Sequence, residues 1–358
     1  MSVEERLRQR IEAEGPLPFA VVMEAALYGE GGYYARDELA IGPQGDFVTG
    51  SSWSPLFGRT TARLLRRLDR ALGGVADLLE VGPGTGAHLR AVAEAGEGMP
   101  RRLLACDRQR RLFPEAPEGV IAIERPEEAG PLRGLVFSYE LFDALPVHRL
   151  IGREKRGVEE LRVAISPAGE LAWEAGAVSD ERLVEWLERR GIALQPGQIA
   201  DLSLEWEPLY RRLASTLQEG LLVTCDYGFE TAALFDPRVR RAGTLACYRE
   251  QRVHRDALRE LGSQDLTAHV DFAALREAGE AEGLVTVGFL RQAPYLVATG
   301  IFEDLAAQPD LAPAAQRLLD GEGMGEEIRV LVQARGQEGR EAWIRNFEQL
   351  FKRSDPRA

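Results

Sequence analysis

The stretch that most constrains this chain is a short apolar run that ends in three closely spaced glycines. Residues 77–81 (DLLEV) are followed by Gly82-Pro83-Gly84-Thr85-Gly86, and a helical pattern begins at His88. This order predicts a strand, a tight loop and a helix. Glycines without a Cβ let backbone N–H groups approach a ligand closely at such a loop. We therefore expect a nucleotide-like ligand there.

Beyond the loop, apolar runs alternate with helical patterns. The runs that predict buried strands are 102–106, 120–123, 134–138 and 221–225. Alternation of this kind is typical of an α/β fold with a doubly wound parallel sheet. Such sheets bind ligands beyond the carboxyl ends of their strands. The carboxylates expected at those ends are Glu80, Asp107, Glu124 and Glu140.

The chain divides into five predicted segments. They are N-terminal helices with a long glycine-rich and aromatic loop (1–72), a first part of the core (73–150), an inserted α+β subdomain (151–218), a second part of the core (219–300) and a helical C-terminal segment (301–358). Within them we expect irregular structure at 243–272 and a strand at 295–299.

Composition excludes several classes of function. The net charge of −13 argues against general nucleic-acid binding, which needs a basic surface. No apolar run approaches the roughly 20 residues of a membrane span. The three cysteines form no CxxC pair, and no metal site is expected. The charged N-terminus does not resemble a secretory signal peptide, so we expect a cytoplasmic location.

The glycine loop is compatible with two cofactors. The fingerprint of a dinucleotide-binding loop is G-x-G-x-x-G/A, and Ala87 satisfies its last position. S-adenosylmethionine (SAM) carries an amino group instead of a diphosphate. The Glu80 carboxylate suits this cationic group better than it suits the diphosphate of a dinucleotide. Asp107 can accept hydrogen bonds from ribose hydroxyls in either case. These features favour SAM over NAD.

Several ordered blocks resemble one known family, the MidA-type class I methyltransferases. The blocks are Gly15-Pro16-Leu17, Gly32-Tyr33-Tyr34, Gly45-Asp46-Phe47-Val48-Thr49, Glu80-Val81-Gly82-Pro83-Gly84, residues 140–147 (ELFDALPV), Asp226-Tyr227-Gly228, residues 265–272 (DLTAHVDF) and Met324-Gly325. The resemblance runs through roughly residues 15–335. The family usually has Asn at the position of Tyr139 and Glu at that of Ser52.

The resemblance implies a SAM-dependent methyltransferase with a class I methyltransferase-like doubly wound sheet, an N-terminal helical cap and the inserted subdomain. Mitochondrial members resemble protein arginine methyltransferases that symmetrically dimethylate a respiratory complex I subunit. The implied partner is thus a protein substrate, such as a complex I subunit. The oligomeric state stays open, with a homodimer as one option.

Two carboxylates after the fourth strand are candidates for the methyl-acceptor site. If the acceptor is a guanidinium, carboxylates can hold and orient it. We expect Glu140 to bind the guanidinium and Asp143 to be a second carboxylate or orienter. The alternative for Asp143 is a cap of the following turn.

Other candidates come from the polar stretches. His269 is a candidate general base, although a lone histidine is more often structural. Asp46 and Thr49 are predicted, with Glu80, Gly82, Gly84, Gly86 and Asp107, to bind the cofactor. The aromatic residues around Asp46 could equally hold the loop in place.

Three hypotheses remain open at this point. They are a protein arginine methyltransferase, a SAM-dependent methyltransferase of a small molecule, and a SAM-binding assembly chaperone with little turnover.

Overall fold

A mixed sheet lies at the centre of the computed structural model. The residues that the structure describes are 1–36, 45–46, 49–95, 100–108, 113, 115–154, 157–321 and 323–353. The strands are β1 Leu17–Pro18, β2 Asp77–Val81, β3 Leu103–Cys106, β4 Ile121–Ile123, β5 Leu132–Tyr139, β6 His148–Gly152, β7 Val158–Ile165, β8 Leu171–Gly176, β9 Ile199–Leu202, β10 Leu217–Phe229, β11 Ala246–Arg249, β12 Arg252–His254, β13 Asp265–Thr267, β14 Val270–Asp271, β15 Val285–Arg291 and β16 Ile328–Arg335.

The α-helices surround this sheet. They are α1 Val3–Glu14, α2 Phe19–Leu27, α3 Gly50–Trp53, α4 Pro55–Ala71, α5 Ala87–Glu94, α6 Glu181–Arg189, α7 Trp206–Thr216, α8 Thr231–Leu234, α9 Phe272–Ala281, α10 Gln292–Thr299, α11 Ile301–Ala307, α12 Ala312–Leu318, α13 Met324–Glu327 and α14 Gly336–Arg353. Within the described ranges, none combines the length and apolar character that crossing a membrane requires.

The central sheet has the strand order β15-β16-β10-β5-β2-β3-β4, and β14 pairs with β10. Strands β4, β3, β2, β5 and β10 are parallel, whereas β16 is antiparallel to both β10 and β15. The predicted α/β fold class is confirmed. The parallel strands also place the ends of β2, β3, β5 and β10 at one edge.

Successive residues of the central strands serve two different cores. In β2, Leu78 packs with α4 and α5 on one face, and Leu79 packs with residues of α7 and α9 on the other. Side chains alternate across a strand, so a strand covered on both faces reads as a continuous apolar run. This burial explains why β2 could be predicted from its sequence.

A second sheet joins the N-terminus to the inserted segment. Its order is β1-β7-β6-β9, with β8 added beside β7. Leu17 of β1 pairs with Val163 of β7. The predicted division into an N-terminal segment and a separate insertion does not show this pairing, because it joins residues far apart in sequence.

Three predictions of secondary structure are wrong. Residues 295–299 belong to helix α10, and the C-terminal segment predicted as helical contains β16, which lies between β15 and β10. The stretch predicted as irregular contains the three-stranded sheet β12-β11-β13. Short apolar runs do not distinguish a strand from a buried helix, and pairing partners distant in sequence decide between them.

Candidate active site

A cleft of about 1020 Å³ opens at the carboxyl ends of the parallel strands. The glycine loop after β2, Asp107 after β3, and residues 140–141 and 143–146 after β5 contribute to its wall. The opposite wall comes from α2, the α3 segment and β13. This is the position at which an open α/β sheet binds its ligands.

The loop after β2 has a backbone that only glycine adopts readily. Gly82, Gly84 and Gly86 have φ values of +69°, +55° and +83°. A Cβ on Gly86 would lie 2.8 Å from the backbone nitrogen of Ala116, and one on Gly82 would lie 3.0 Å from Leu141 Cδ1. Gly82 and Gly84 line the cleft. The predicted glycine loop therefore forms a close-fitting cradle.

Two carboxylates stand beside the loop at neighbouring strand ends. Asp107 follows β3 and Glu124 follows β4, and both line the cleft. The backbone N–H of Asp107 donates to Ile123 O at 3.0 Å, which ties the two strand ends together. Carboxylates at this place suit the hydroxyl groups of a ribose. The loop and these residues fit a nucleoside cofactor such as SAM.

Glu80 lies behind the loop and is not part of the cleft wall. Its Oε2 is 3.0 Å from Nδ1 of His88, and both side chains are buried. His88 lines the cleft, stacks on Phe137 and has its Nε2 3.0 Å from Thr61 Oγ1. The structure thus places Glu80 as a support for the loop and the first turn of α5. Direct contact of Glu80 with a cofactor remains a prediction.

The cleft also contains a group of carboxyls, which we name the acid cluster: the half-buried Glu140 and the buried Asp143, Asp226 and Asp265. Glu140, Asp143 and Asp265 line the cleft, and Asp226 lies behind them with no exposed surface. Oε1 of Glu140 is buried and has no hydrogen-bond partner within the described part of the chain. Carboxyls grouped in this way can bind a cation, which would favour their ionised forms.

Burial and mutual repulsion disfavour the charged forms of these groups. Burial, followed by the charges of Asp226 and Asp265, raises the pKa of Glu140 well above its usual value. Burial, followed by the same two neighbours and Glu140, also raises the pKa of Asp143. Burial raises the pKa of Asp265 to about 7 and that of Asp226 to about 7. Such raised values are typical of functional sites.

Tyrosines complete the wall around the acid cluster. The hydroxyl of Tyr34 donates to Asp265 Oδ1 at 2.8 Å, and that of Tyr28 donates to Ala144 O at 2.9 Å. Tyr227 and Tyr248 also line the cleft. Aromatic faces beside carboxylates favour a delocalised organic cation.

Two predicted site residues lie elsewhere. His269 does not line the cleft. Its ring packs beside Tyr227 and Phe229, and burial lowers its pKa to about 4. Asp46 accepts hydrogen bonds from Tyr33 OH and from the Glu250 backbone N–H, so it ties its segment to the β11–β12 turn. Neither placement supports a direct catalytic or cofactor-binding role.

Thr49 does line the cleft, and its Oγ1 lies 2.6 Å from Ser52 Oγ. The backbone N–H of the neighbouring Gly50 opposes the rise in the pKa of Glu140, so it lies near that carboxyl. Thr49 therefore lies beside the acid cluster as well as within the cleft. Its predicted contact with the cofactor stays a prediction.

The candidate list from the sequence did not include Asp226 or Asp265. Asp226 lies near the end of β10, and the convergence of parallel strand ends could have identified it. Asp265 lies in the stretch that was predicted to be irregular, where no periodic signal is present. It reaches the cleft because β13 pairs with β11.

A family model described as "Putative S-adenosyl-L-methionine-dependent methyltransferase" matches residues 56–290. The chain belongs to this methyltransferase family. The match extends from α4 to β15 and thus includes the glycine loop and the acid cluster. SAM is the cofactor of the family, so the dinucleotide alternative is excluded.

Similar proteins agree with this assignment. The protein arginine methyltransferase NDUFAF7 homolog of Drosophila melanogaster is 28% identical over 79% of this chain and 71% of its own length. Rattus norvegicus NDUFAF7 is 26% identical over 90% of this chain and 82% of its own. A Burkholderia thailandensis protein solved with bound S-adenosyl-homocysteine has a TM-score of 0.83 and 29% identity, and the match covers 93% of this chain and 92% of that one.

These relatives contradict the cytoplasmic location predicted from the sequence, since both NDUFAF7 proteins are named as mitochondrial. That prediction was based on the lack of a secretory signal peptide. Mitochondrial targeting segments are amphipathic and rich in arginine, so this criterion does not detect them.

Proposed function

We propose that this methyltransferase transfers a methyl group to a guanidino nitrogen of a protein arginine. The acid cluster supports the proposal most directly, because a guanidinium would neutralise carboxyls that otherwise repel one another. The unpartnered Oε1 of Glu140 is the acceptor atom expected to take a guanidinium N–H. Carboxylates match the planar donor geometry of this group better than that of an ammonium.

In this proposal two groups of cleft residues have different tasks. Gly82, Gly84 and Asp107 hold the cofactor, and bound SAM supplies an electrophilic methyl group. Glu140 and Asp143 orient the guanidinium and exclude water from it. Glu140 also accepts the proton that the nucleophilic nitrogen must lose, which suits a carboxylate with a raised pKa.

The names of the relatives support arginine as the acceptor, because they are protein arginine methyltransferases. The resemblance extends the proposal to a respiratory complex I subunit or a similar protein as substrate. A small-molecule acceptor and a SAM-binding chaperone with little turnover are the alternative outcomes of the test.

The test compares Glu140→Gln with the wild type. Incubation with methyl-labelled SAM and a cell extract should label a protein band at arginine in the wild type. We expect Glu140→Gln to reduce transfer by about 100-fold or more, since general-base contributions have this size. Calorimetry should show unchanged SAM binding, because the proposal assigns Glu140 to the acceptor and not to the cofactor. The exposed Glu174→Gln on β8 is the control.

Three results would contradict the proposal. Label confined to small molecules supports the second function, and SAM binding without transfer supports the third. Unchanged turnover of Glu140→Gln would exclude its role as base.

A further inference from the structure

Asp226 is a fully buried member of the acid cluster that does not line the cleft. Its Oδ2 accepts the backbone N–H groups of Leu141 at 3.1 Å and Phe142 at 2.8 Å. Its Oδ1 accepts the backbone N–H of the next residue, Tyr227, at 2.8 Å. These bonds connect the end of β10 to the turn that follows β5.

The turn held by Asp226 contains a strained residue. Glu140 has φ +48°, a left-handed conformation that side chains with a Cβ adopt at a cost. A left-handed residue lets the N–H groups that follow converge on one anion, and here that anion is the Asp226 carboxylate. The strained conformation and the Asp226 bonds therefore depend on each other.

Two further contacts fix Glu140 itself. Its backbone N–H donates to Cys225 O at 2.9 Å, which continues the β5–β10 ladder. The backbone N–H of Gly50 lies on the carboxylate side and opposes the rise in the pKa of Glu140. The side chain lines the cleft from this left-handed position, and the N–H groups of the two residues that follow are bound by Asp226.

We propose that Asp226 is a positioning residue for the methyl-acceptor site, which holds the strained turn at residues 140–142 and thereby aims the Glu140 carboxylate into the cleft. The link to catalysis is based on the arginine methyltransferase function proposed above. The structural role of Asp226 is independent of that function.

Asp226 has a second, electrostatic effect on Glu140. After burial, its charge is the largest cause that raises the pKa of Glu140. The other titratable groups around Glu140 in the described part of the chain are Asp143, Asp265, Tyr139, Cys225, Tyr227 and Tyr248. Removing the Asp226 charge should therefore lower the pH at which Glu140 ionises.

Asp226→Asn tests both effects with little change in volume. The side-chain NH₂ of the asparagine takes the place of either Oδ1 or Oδ2 and cannot accept a hydrogen bond. At least one of the observed bonds to a backbone N–H is therefore lost. The control is Asp271→Asn. Asp271 is equally buried and accepts the N–H groups of Ala273 and Ala274, but it lies outside the cleft.

The assay follows transfer from methyl-labelled SAM to a glycine–arginine peptide between pH 5.5 and 9. We expect Asp226→Asn to lower kcat at least tenfold. We also expect the acidic limb of its kcat/KM profile to move down by about one pH unit, the lower range for a neighbouring like charge. Asp271→Asn should lose stability but keep the wild-type pH profile. Equal profiles for the two variants would overturn the proposal.

Two measurements decide the structural role even if arginine is not the acceptor. In a crystal structure of Asp226→Asn with S-adenosylhomocysteine, we expect Glu140 to leave positive φ or its carboxylate to turn from the cleft. If the variant does not fold, hydrogen exchange of the wild-type protein is measured in place of the crystal structure. Leu141 and Phe142 amides should exchange as slowly as those of β5, and fast exchange would overturn the proposal. A wild type that transfers no methyl to the peptide would contradict only the proposed function.

Discussion

At the scale of single residues, the acid cluster brings several carboxyls together in a buried environment, where their charged forms are least stable. Asp143, Asp226 and Asp265 are each at most 4% exposed, and no arginine or lysine forms an ion pair with them among the described residues. Burying unpaired carboxylates costs free energy, so the site is stable as charged groups only with a cation present. We interpret this cost as the source of affinity for the acceptor.

The pH dependence of stability provides a test of this interpretation at Asp265. An aspartate ionises near pH 4 in an unfolded chain, whereas burial raises the pKa of Asp265 to about 7 in the fold. Between these values the folded state binds the proton more tightly. Its contribution to the free energy of unfolding is therefore largest at low pH and is lost as pH rises to 7.

We expect Asp265→Asn, which removes this titration, to gain stability over the wild type as the pH rises. The gain should be up to about 3 kcal/mol larger at pH 8 than at pH 5, at about 1.4 kcal/mol per pH unit. Thermal unfolding of both proteins at the two pH values measures it. An equal difference at pH 5 and pH 8 would show that Asp265 does not titrate in this range.

At the scale of elements, the unit of β2, loop and α5 was predicted almost to the residue. Its signals are local: a buried apolar run, three glycines with positive φ and an immediate helix. Helix α10 shows the opposite case. Its apolar sequence suits a strand, but Pro294 lies in its first turn, where proline is tolerated, and it packs against α13, α14 and α4.

Glycine substitutions can separate two costs of adding a Cβ: a clash with a nearby backbone, and the strain of a left-handed conformation. Gly86 and Gly74 both have φ +83°, but a Cβ on Gly74 would enter open space and one on Gly86 would meet the Ala116 backbone. We expect Gly74→Ala to cost about 1 kcal/mol of stability from the left-handed backbone alone. Gly86→Ala should cost more and weaken S-adenosylhomocysteine binding at least tenfold by calorimetry. Similar affinities for the two variants would exclude the close-packing role of Gly86.

At the scale of the whole molecule, the end of the chain completes the core. Strand β16 pairs with both β10 and β15, and α14 packs on β10 and α4. Trp343 of α14 has no exposed surface, stacks on Tyr295 and donates its indole N–H to Val287 O at 3.1 Å. The C-terminal segment is therefore part of the core that supports the cleft.

We expect Trp343→Ala to lower the free energy of unfolding by about 3–5 kcal/mol, the range for a buried tryptophan. Trp173→Ala is the matched control, because Trp173 is 36% exposed on β8. Its loss should cost clearly less. Urea unfolding of the three proteins gives both values. Equal costs would mean that α14 does not contribute to the core.

The glycine-loop side of the cleft was predicted from the sequence, and the acid cluster was predicted only in part. Gly82, Gly84 and Asp107 line the cleft as expected, because the strand, loop and helix that position them are contiguous. Glu140 was identified from its place after a strand. Its left-handed backbone and its neighbours Asp226 and Asp265 were not, since they depend on pairings between distant segments.

The sequence by itself determined the type of fold and the glycine loop at the edge of the sheet. Periodic burial and glycine conformation are properties of short segments, so they depend mainly on residues that are neighbours in the sequence. Only the tertiary structure decided which carboxyls share one space, because β5, β10 and β13 bring them together from positions spread between residues 140 and 265. Their mutual repulsion, and with it the preference for a cation, exists only in the folded protein.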